Sequence, residues 1–176
     1  MTAEVSKHLG IPEAVFVTDV DSFMKEMGTT DAESLLRKLE ENYQKYKMME
    51  ITLLQKKKRL QHQIPELKST LDIVKHLHEK KTGTEKSNFL LSAALYAKAE
   101  IPPTEEVFLW LGANVMLSYS TSEALDLLSQ NNKSATKNLT SIKSDLEYLR
   151  DQITTTEVTM ARLYNWNVKK RRTTAS

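Results

Sequence analysis

Few side chains in these 176 residues are placed to do bond-making chemistry. His76 and His78 stand two apart, and on a helix such residues point to different sides, so they make no joint metal site. Asp19 and Asp21 are a carboxylate pair of the kind general acid–base catalysis uses. No base or nucleophile stands near them in the sequence, and they read as part of a solvated acidic tail. Dinucleotide-type glycine fingerprints, Walker-type phosphate loops and the His-Glu-x-x-His zinc pattern are all missing. There is no Cys, which removes a disulfide framework, a thiolate metal site and a Cys nucleophile. The sequence therefore predicts no catalytic residue, no metal and no cofactor. Asn132 and Asn138 open glycosylation-type triplets, but Met1 to Gly10 has no apolar core of signal-peptide type, so these read as chance matches.

Two basic runs, Lys56–Arg59 and Lys169–Arg172, could serve as nucleic-acid patches or nuclear import signals. The plainer reading is a solvated helix face, because 25 Lys+Arg against 23 Asp+Glu leaves a net charge of only +2. Neither a nucleic-acid nor a membrane partner is expected. No apolar run approaches the ~20 residues that a membrane span requires. The chain reads as a soluble protein of the cytoplasm.

The elements that would position any site are legible from periodicity. With only 4 Gly and 4 Pro, a loop-rich or all-β fold is excluded. Residues 31–81 contain no Gly, and Thr30 or Asp31 can cap them with Glu33 in the first turn. One heptad series reads Leu39, Tyr46, Leu53, Leu60, Leu67, Val74, and its companion reads Leu36, Tyr43, Glu50, Lys57, Ile64, Leu71, His78. Such a repeat marks a coiled-coil helix. Pro65 predicts a kink rather than a stop, because the heptads keep phase across it. Residues 121–172 repeat the pattern, with Thr121 or Ser122 as cap. There a runs Leu125, Asn132, Leu139, Leu146, Ile153, Met160, and d runs Leu128, Ala135, Ile142, Leu149, Thr156, Leu163. Each helix would be roughly 75 Å long at 1.5 Å per residue, too long to stand without a partner.

Residues 82–120 break the period. Lys81–Lys86 reads as a polar link, followed by apolar runs at 88–91, 95–101, 107–111 and 115–119. Pro102 and Pro103 stop pairing between the second and third, and Gly112-Ala113-Asn114 joins the last two. Val107, Leu109 and Leu111 share one face of a strand that carries Phe108 and Trp110 on the other. A strand apolar on both faces needs cover on both sides, and a small insert with open edges invites strands of other chains. The expected fold is mainly α: a long antiparallel two-helix coiled coil with two β-hairpins, four short strands, inserted between the helices. Residues 1–30 and 173–176 are read as tails. In antiparallel pairing, Leu39 should layer with Met160, Tyr46 with Ile153, Leu67 with Asn132 and Val74 with Leu125.

That plan, together with NFLLSAALYAKAEIPPTEEVFLWLGANVMLSYS, RDQITTTEVTMARLYNWNVKKR and the near-N-terminal GIPEAVFVTDVDSFM, resembles the α-class of the prefoldin family. The resemblance covers about Gly10 to Arg171. It implies an ATP-independent cochaperone, not an enzyme, built as a hexamer of two α-class and four β-class subunits. It implies that the strands assemble into a barrel and that the coiled-coil tips hold non-native actin and tubulin for the cytosolic chaperonin. The assembly residues would then be Phe89, Leu91, Leu95, Ala97, Val107, Leu109, Trp110, Leu111, Val115, Leu117 and Tyr119. The client-binding residues would be Leu36, Leu39, Tyr43, Met160, Leu163, Tyr164 and Trp166. Coiled-coil core is an equal reading for Leu36, Leu39 and Met160, whereas Tyr164 and Trp166 fall off the seam. The basic runs could also dock the chaperonin. The competing function class is a structural coiled-coil tether or scaffold, which has no use for the hairpins.

Overall fold

The computed structural model describes residues 8, 10–28, 31–80 and 82–174. Thr30 and Lys81 therefore lie outside the described residues. The element order is α1 (Val20–Glu26), α2 (Ala32–Glu79), β1 (Glu85–Ser92), β2 (Leu95–Ile101), β3 (Glu106–Gly112), β4 (Val115–Ser120) and α3 (Thr121–Thr174). The chain divides into two compact units, one from residues 1–59 with 139–176, the other from residues 60–138. The long helices α2 and α3 contribute to both.

The heptads place the buried side chains. Every heptad position of α2 from Leu36 to His78 is buried or half-buried, and between Met48 and His76 no other residue of that helix is. In α3 all six d positions are buried, from Leu128 to Leu163. Glu50 and Lys57 occupy the seam half-buried, with the Glu50 carboxylate turned to Lys47 Nζ at 3.0 Å. The helices run antiparallel in each unit. In one, Leu35 of α2 packs with Leu163 near the end of α3. In the other, Val74 near the end of α2 packs with Ala124, Leu125 and Leu128 at the start of α3. Of the expected layers, that of Val74 with Leu125 is seen directly. His78 Nδ1 meets Thr121 Oγ1 at 2.9 Å one layer on. In the other unit the Tyr43 hydroxyl donates to Glu157, next to its layer partner Thr156. The Val74–Leu125 and His78–Thr121 contacts thus give the expected register in the unit of residues 60–138, and the Tyr43–Glu157 bond agrees with it in the other unit. Helix α2 continues through that proline, which lies with Gln61 on the exposed side, so the carbonyl that loses its partner can reach water.

Helix ends are satisfied locally. Asp31 Oδ1 accepts from the Glu33 amide at the start of α2. At α3 the cap is Ser120, one residue before the expected Thr121 or Ser122. Its amide and hydroxyl donate to Glu123 Oε2, and the Glu123 amide donates back to Ser120 Oγ, a reciprocal capping box. Helix α3 extends through Thr173 and Thr174, which were expected to lie beyond it.

The strands form two separate two-stranded antiparallel sheets, β1–β2 and β3–β4. Pairing begins at Glu85 opposite Ile101, so Glu85 and Lys86 belong to β1 rather than to a polar link. The β3–β4 turn holds Gly112, Ala113 and Asn114 all at positive φ (89°, 47° and 63°), the primed geometry that matches strand twist.

The Asn132 Oδ1 atom is buried with no hydrogen-bond partner. Such an acceptor costs about 1–3 kcal/mol while discouraging slipped registers. Replacing Asn132 by Leu should stabilise the seam by about that amount in urea unfolding. A fall in stability would show that the amide is satisfied in solution.

The N-terminal region differs from expectation. It is not a solvated tail. Residues 10–28 lie against α2 and α3, with Ile11, Val17, Val20 and Met24 buried. Asp19 caps α1, its carboxylate accepting from the Asp21 amide and from the amide and hydroxyl of Ser22. The Ser22 hydroxyl, then the Ser22 amide, hold the Asp19 carboxyl below its usual value. A folded pKa below the unfolded one means the cap's contribution is complete above the ordinary Asp range and is lost as pH falls through it. The protection of the Asp21 and Ser22 amides, taken against the intrinsic exchange rate at each pH, should therefore fall on acidification, and Asp19→Asn, an equally good cap, should remove that dependence. A loss of protection on acidification that persists in the Asn variant would place the titrating group elsewhere.

Candidate functional site

Two surfaces carry the candidate residues, one in each unit. In the unit of residues 60–138, the two hairpins present apolar side chains to solvent. Phe108 is 68% and Trp110 60% exposed on one face of β3. Phe89, Leu91 and Leu95 of the first hairpin, and Leu111, Val115 and Leu117 of the second, are also exposed. A patch of this kind on a single chain marks a contact surface. Three of the expected assembly residues point elsewhere. Val107, Leu109 and Tyr119 pack on Val74, Ala124 and Leu128 of their own helices, and Ala97 is half-buried. Alternation explains this: Val107 and Leu109 lie on the inward face of β3 and Phe108 and Trp110 on the outward one. Phe108, Leu90, Tyr96 and Met116 are exposed members that the sequence reading did not include. Glu85 at the start of β1 takes Lys80 Nζ at 2.9 Å and His76 Nε2 at 2.8 Å, and these bonds, Lys80 first, hold its carboxyl below the usual range.

In the other unit the expected client residues separate into four groups. Leu163 is 1% exposed and belongs to a core cluster with Val17, Val20, Met24, Ala32 and Leu35. Leu36, Leu39 and Trp166 are half-buried against the same cluster. Tyr43 and Met160 are half-buried on the seam, and the bond to Glu157 pushes the Tyr43 phenol above its usual pKa. Only Tyr164 is freely presented, at 61% exposure. The N-terminal segment thus covers much of the apolar surface that this end of the helix pair would otherwise show.

That segment is held along one stripe of α3. Asp145, Gln152, Thr159 and Trp166 recur every seven residues, just beside the seam. His8 stacks on Tyr148 at 4.4 Å between ring centroids, and its Nδ1 lies 3.1 Å from Asp145 Oδ1. Gln152 Oε1 accepts from the Ala14 amide, Thr159 Oγ1 donates to Val15 O, and Arg162 donates to Val17 O and Thr18 O. Trp166 Nε1 donates to Asp21 at 2.9 Å. The basic run at the end of α3 is partly engaged: Lys170 lies over the Trp166 ring and Arg171 pairs with Glu33.

The described residues hold no group of three or more His, Asp or Glu that could bind a metal ion, and no helix among them is long and apolar enough to cross a membrane. A sequence-family profile described as prefoldin subunit matches residues 46–166. The chain is 60% identical over 166 residues to prefoldin subunit 3 of Mus musculus, covering 93% of this chain and 85% of that protein. Prefoldin subunit 3 of Drosophila melanogaster is 48% identical, covering 92% of this chain and 83% of the relative. A cryo-EM structure of filamentous PFD from Methanocaldococcus jannaschii shares the fold with a TM-score of 0.51 at 18% identity, over 65% of this chain and 94% of that one. The chain belongs to the prefoldin family. It is a prefoldin cochaperone subunit, and its partners are other prefoldin subunits.

Proposed function

We propose that this chain is one of two α-class subunits in a hexamer with four β-class subunits. The hexamer works in the cytoplasm without ATP. It captures non-native proteins, actin and tubulin among them, and delivers them to the cytosolic chaperonin. The observation that carries this reading is the exposed apolar face of the hairpins, led by Phe108 and Trp110. Barrel assembly with strands of other subunits would bury that face, whereas a simple coiled-coil tether would leave it in water at a steep cost in solubility. Capture is assigned to the unit that carries Tyr164 and the Leu36–Leu39–Leu163 cluster. Lys56, Lys58 and Arg59, all exposed, supply a basic surface for an acidic face of the chaperonin.

The test is purification from cells with the complex intact. Five small coiled-coil partners should accompany the chain, and the complex should suppress aggregation of unfolded actin without nucleotide. A chain that purifies alone, or an intact complex that leaves actin aggregation unchanged, would overturn the reading. Tyr164→Ala should weaken suppression by no more than a few-fold, because several arms share each client.

A further inference from the structure

We infer that the stripe of α3 marked by Gln152, Thr159 and Arg162 is a binding groove for unfolded polypeptide, which residues 10–18 of this chain occupy in cis. This rests on the client-holding reading above and gives it a chemistry.

The contacts are of the kind that recognise any chain. Tyr46 OH donates to Pro12 O, Gln152 accepts from the Ala14 amide, and Thr159 and Arg162 donate to the carbonyls of residues 15, 17 and 18. Every one of these bonds ends on a main-chain atom, which all polypeptides carry. The bound segment is drawn out. Between the contacts of Ala14 with Gln152 and of Asp21 with Trp166, α3 advances about 21 Å at 1.5 Å per residue, while the segment spends seven residues. That is roughly 3 Å per residue, well above a helical rise. Side-chain selection is mostly apolar: Val17, Val20 and Met24 enter a patch made by Ala32, Leu35, Leu36, Leu39, Leu163 and Trp166, Val15 stays exposed, and the half-open Phe16 ring lies 4.9 Å from the Arg162 guanidinium.

The groove does not depend on its occupant. Gln152 and Thr159 are buried with their polar atoms bonded to the segment, and they lie beside the heptad seam rather than in it. If the segment leaves, these polar groups meet water and the seam layers stay packed. A cis occupant has a high effective concentration, so the ligand that displaces it is a long non-native chain with several apolar anchors and not a short soluble peptide.

The test uses the assembled complex and a fluorescein-labelled peptide of residues 10–28 as probe. With the full-length chain unaltered, anisotropy should show little binding. With Val17→Asp and Val20→Asp in the chain, which loosen the cis segment, the peptide should bind at least tenfold tighter, and unfolded actin should displace it. Adding Thr159→Val and Arg162→Met should reverse that gain. A peptide that binds neither complex, or one that actin fails to displace, overturns the inference. Hydrogen exchange on the unaltered complex gives a readout free of folding defects. Bound actin should remove protection from the Ala14 amide, which bonds to Gln152, and from the capped Asp21 and Ser22 amides as α1 leaves its patch, and unchanged protection overturns the inference too. If the complex suppresses actin aggregation but shows no competition, only the groove assignment falls. If it holds no client at all, the functional reading falls as well.

Discussion

Aspartate at both Phe108 and Trp110 releases this chain from its complex while leaving its own fold intact. Both side chains stand on the outward face of β3, with Ser118 and Met116 opposite them on β4. In the free chain they are exposed, and surface substitutions away from special features usually change stability by about 0.5 kcal/mol or less. In an assembled sheet each would forfeit about 1.5–3 kcal/mol of apolar burial and add the several kcal/mol of desolvating an unpaired carboxylate. Size-exclusion chromatography or native mass spectrometry reads the loss of partners, and circular dichroism reads the retained helix. Leu109→Asp should behave differently. Leu109 packs on the chain's own helices, so that variant should lose stability as well as assembly. A Phe108/Trp110 double variant that still co-purifies with every partner would remove the hairpins from the assembly role.

The two helices, their phase through Pro65 and their antiparallel layers were legible because one physical rule, a seven-residue apolar seam, is repeated many times over. Glu50, Lys57 and Asn132 break the rule without moving the register, since their neighbours above and below enforce it. The hairpins were legible from alternation, but the direction each face points was not. A strand apolar on both sides carries no label for inside, so Val107, Leu109 and Tyr119 were grouped with residues that face outward. The N-terminal segment was missed for a different reason. Its contacts on α3 are made by Asp145, Gln152, Thr159 and Arg162, residue types that on a helix surface read as solvated. Polar residues that bind main chain leave no hydrophobic period. A signal was nevertheless present. Trp166 lies off the seam, seven residues beyond Thr159, and Asp19 as cap, Val20 and Met24 four apart, and Gly28 behind them spell a short amphipathic helix. The positive φ of Gly28, 60°, is the left-handed turn that commonly follows a helix end.

Leu149→Ala should be the most damaging single truncation in the unit that carries the proposed client surface. Leu149 is fully buried at a d position, with Tyr46, Ile142 and Ile153 buried in the adjoining layers. Its neighbours on the next stripe, Asp145 and Gln152, are buried and bonded to His8 and Ala14 of the N-terminal segment. A cavity there has cover on both sides of the helix and little freedom to collapse, so the loss belongs in the upper part of the 2–5 kcal/mol range for buried Leu→Ala. Leu54→Ala makes the control, since Leu54 is off the seam and exposed, and its loss should stay within about 0.5 kcal/mol. Amide exchange along residues 139–165 should rise steeply in the first variant and hardly at all in the second. Because Leu149 and the exposed hairpin face belong to different units, the Leu149 variant should still enter the complex, with weakened suppression of aggregation. Equal exchange in the two variants would mean that the segment of residues 10–28 does not seal this part of the seam in solution, and the groove assigned to α3 would then stand open without it.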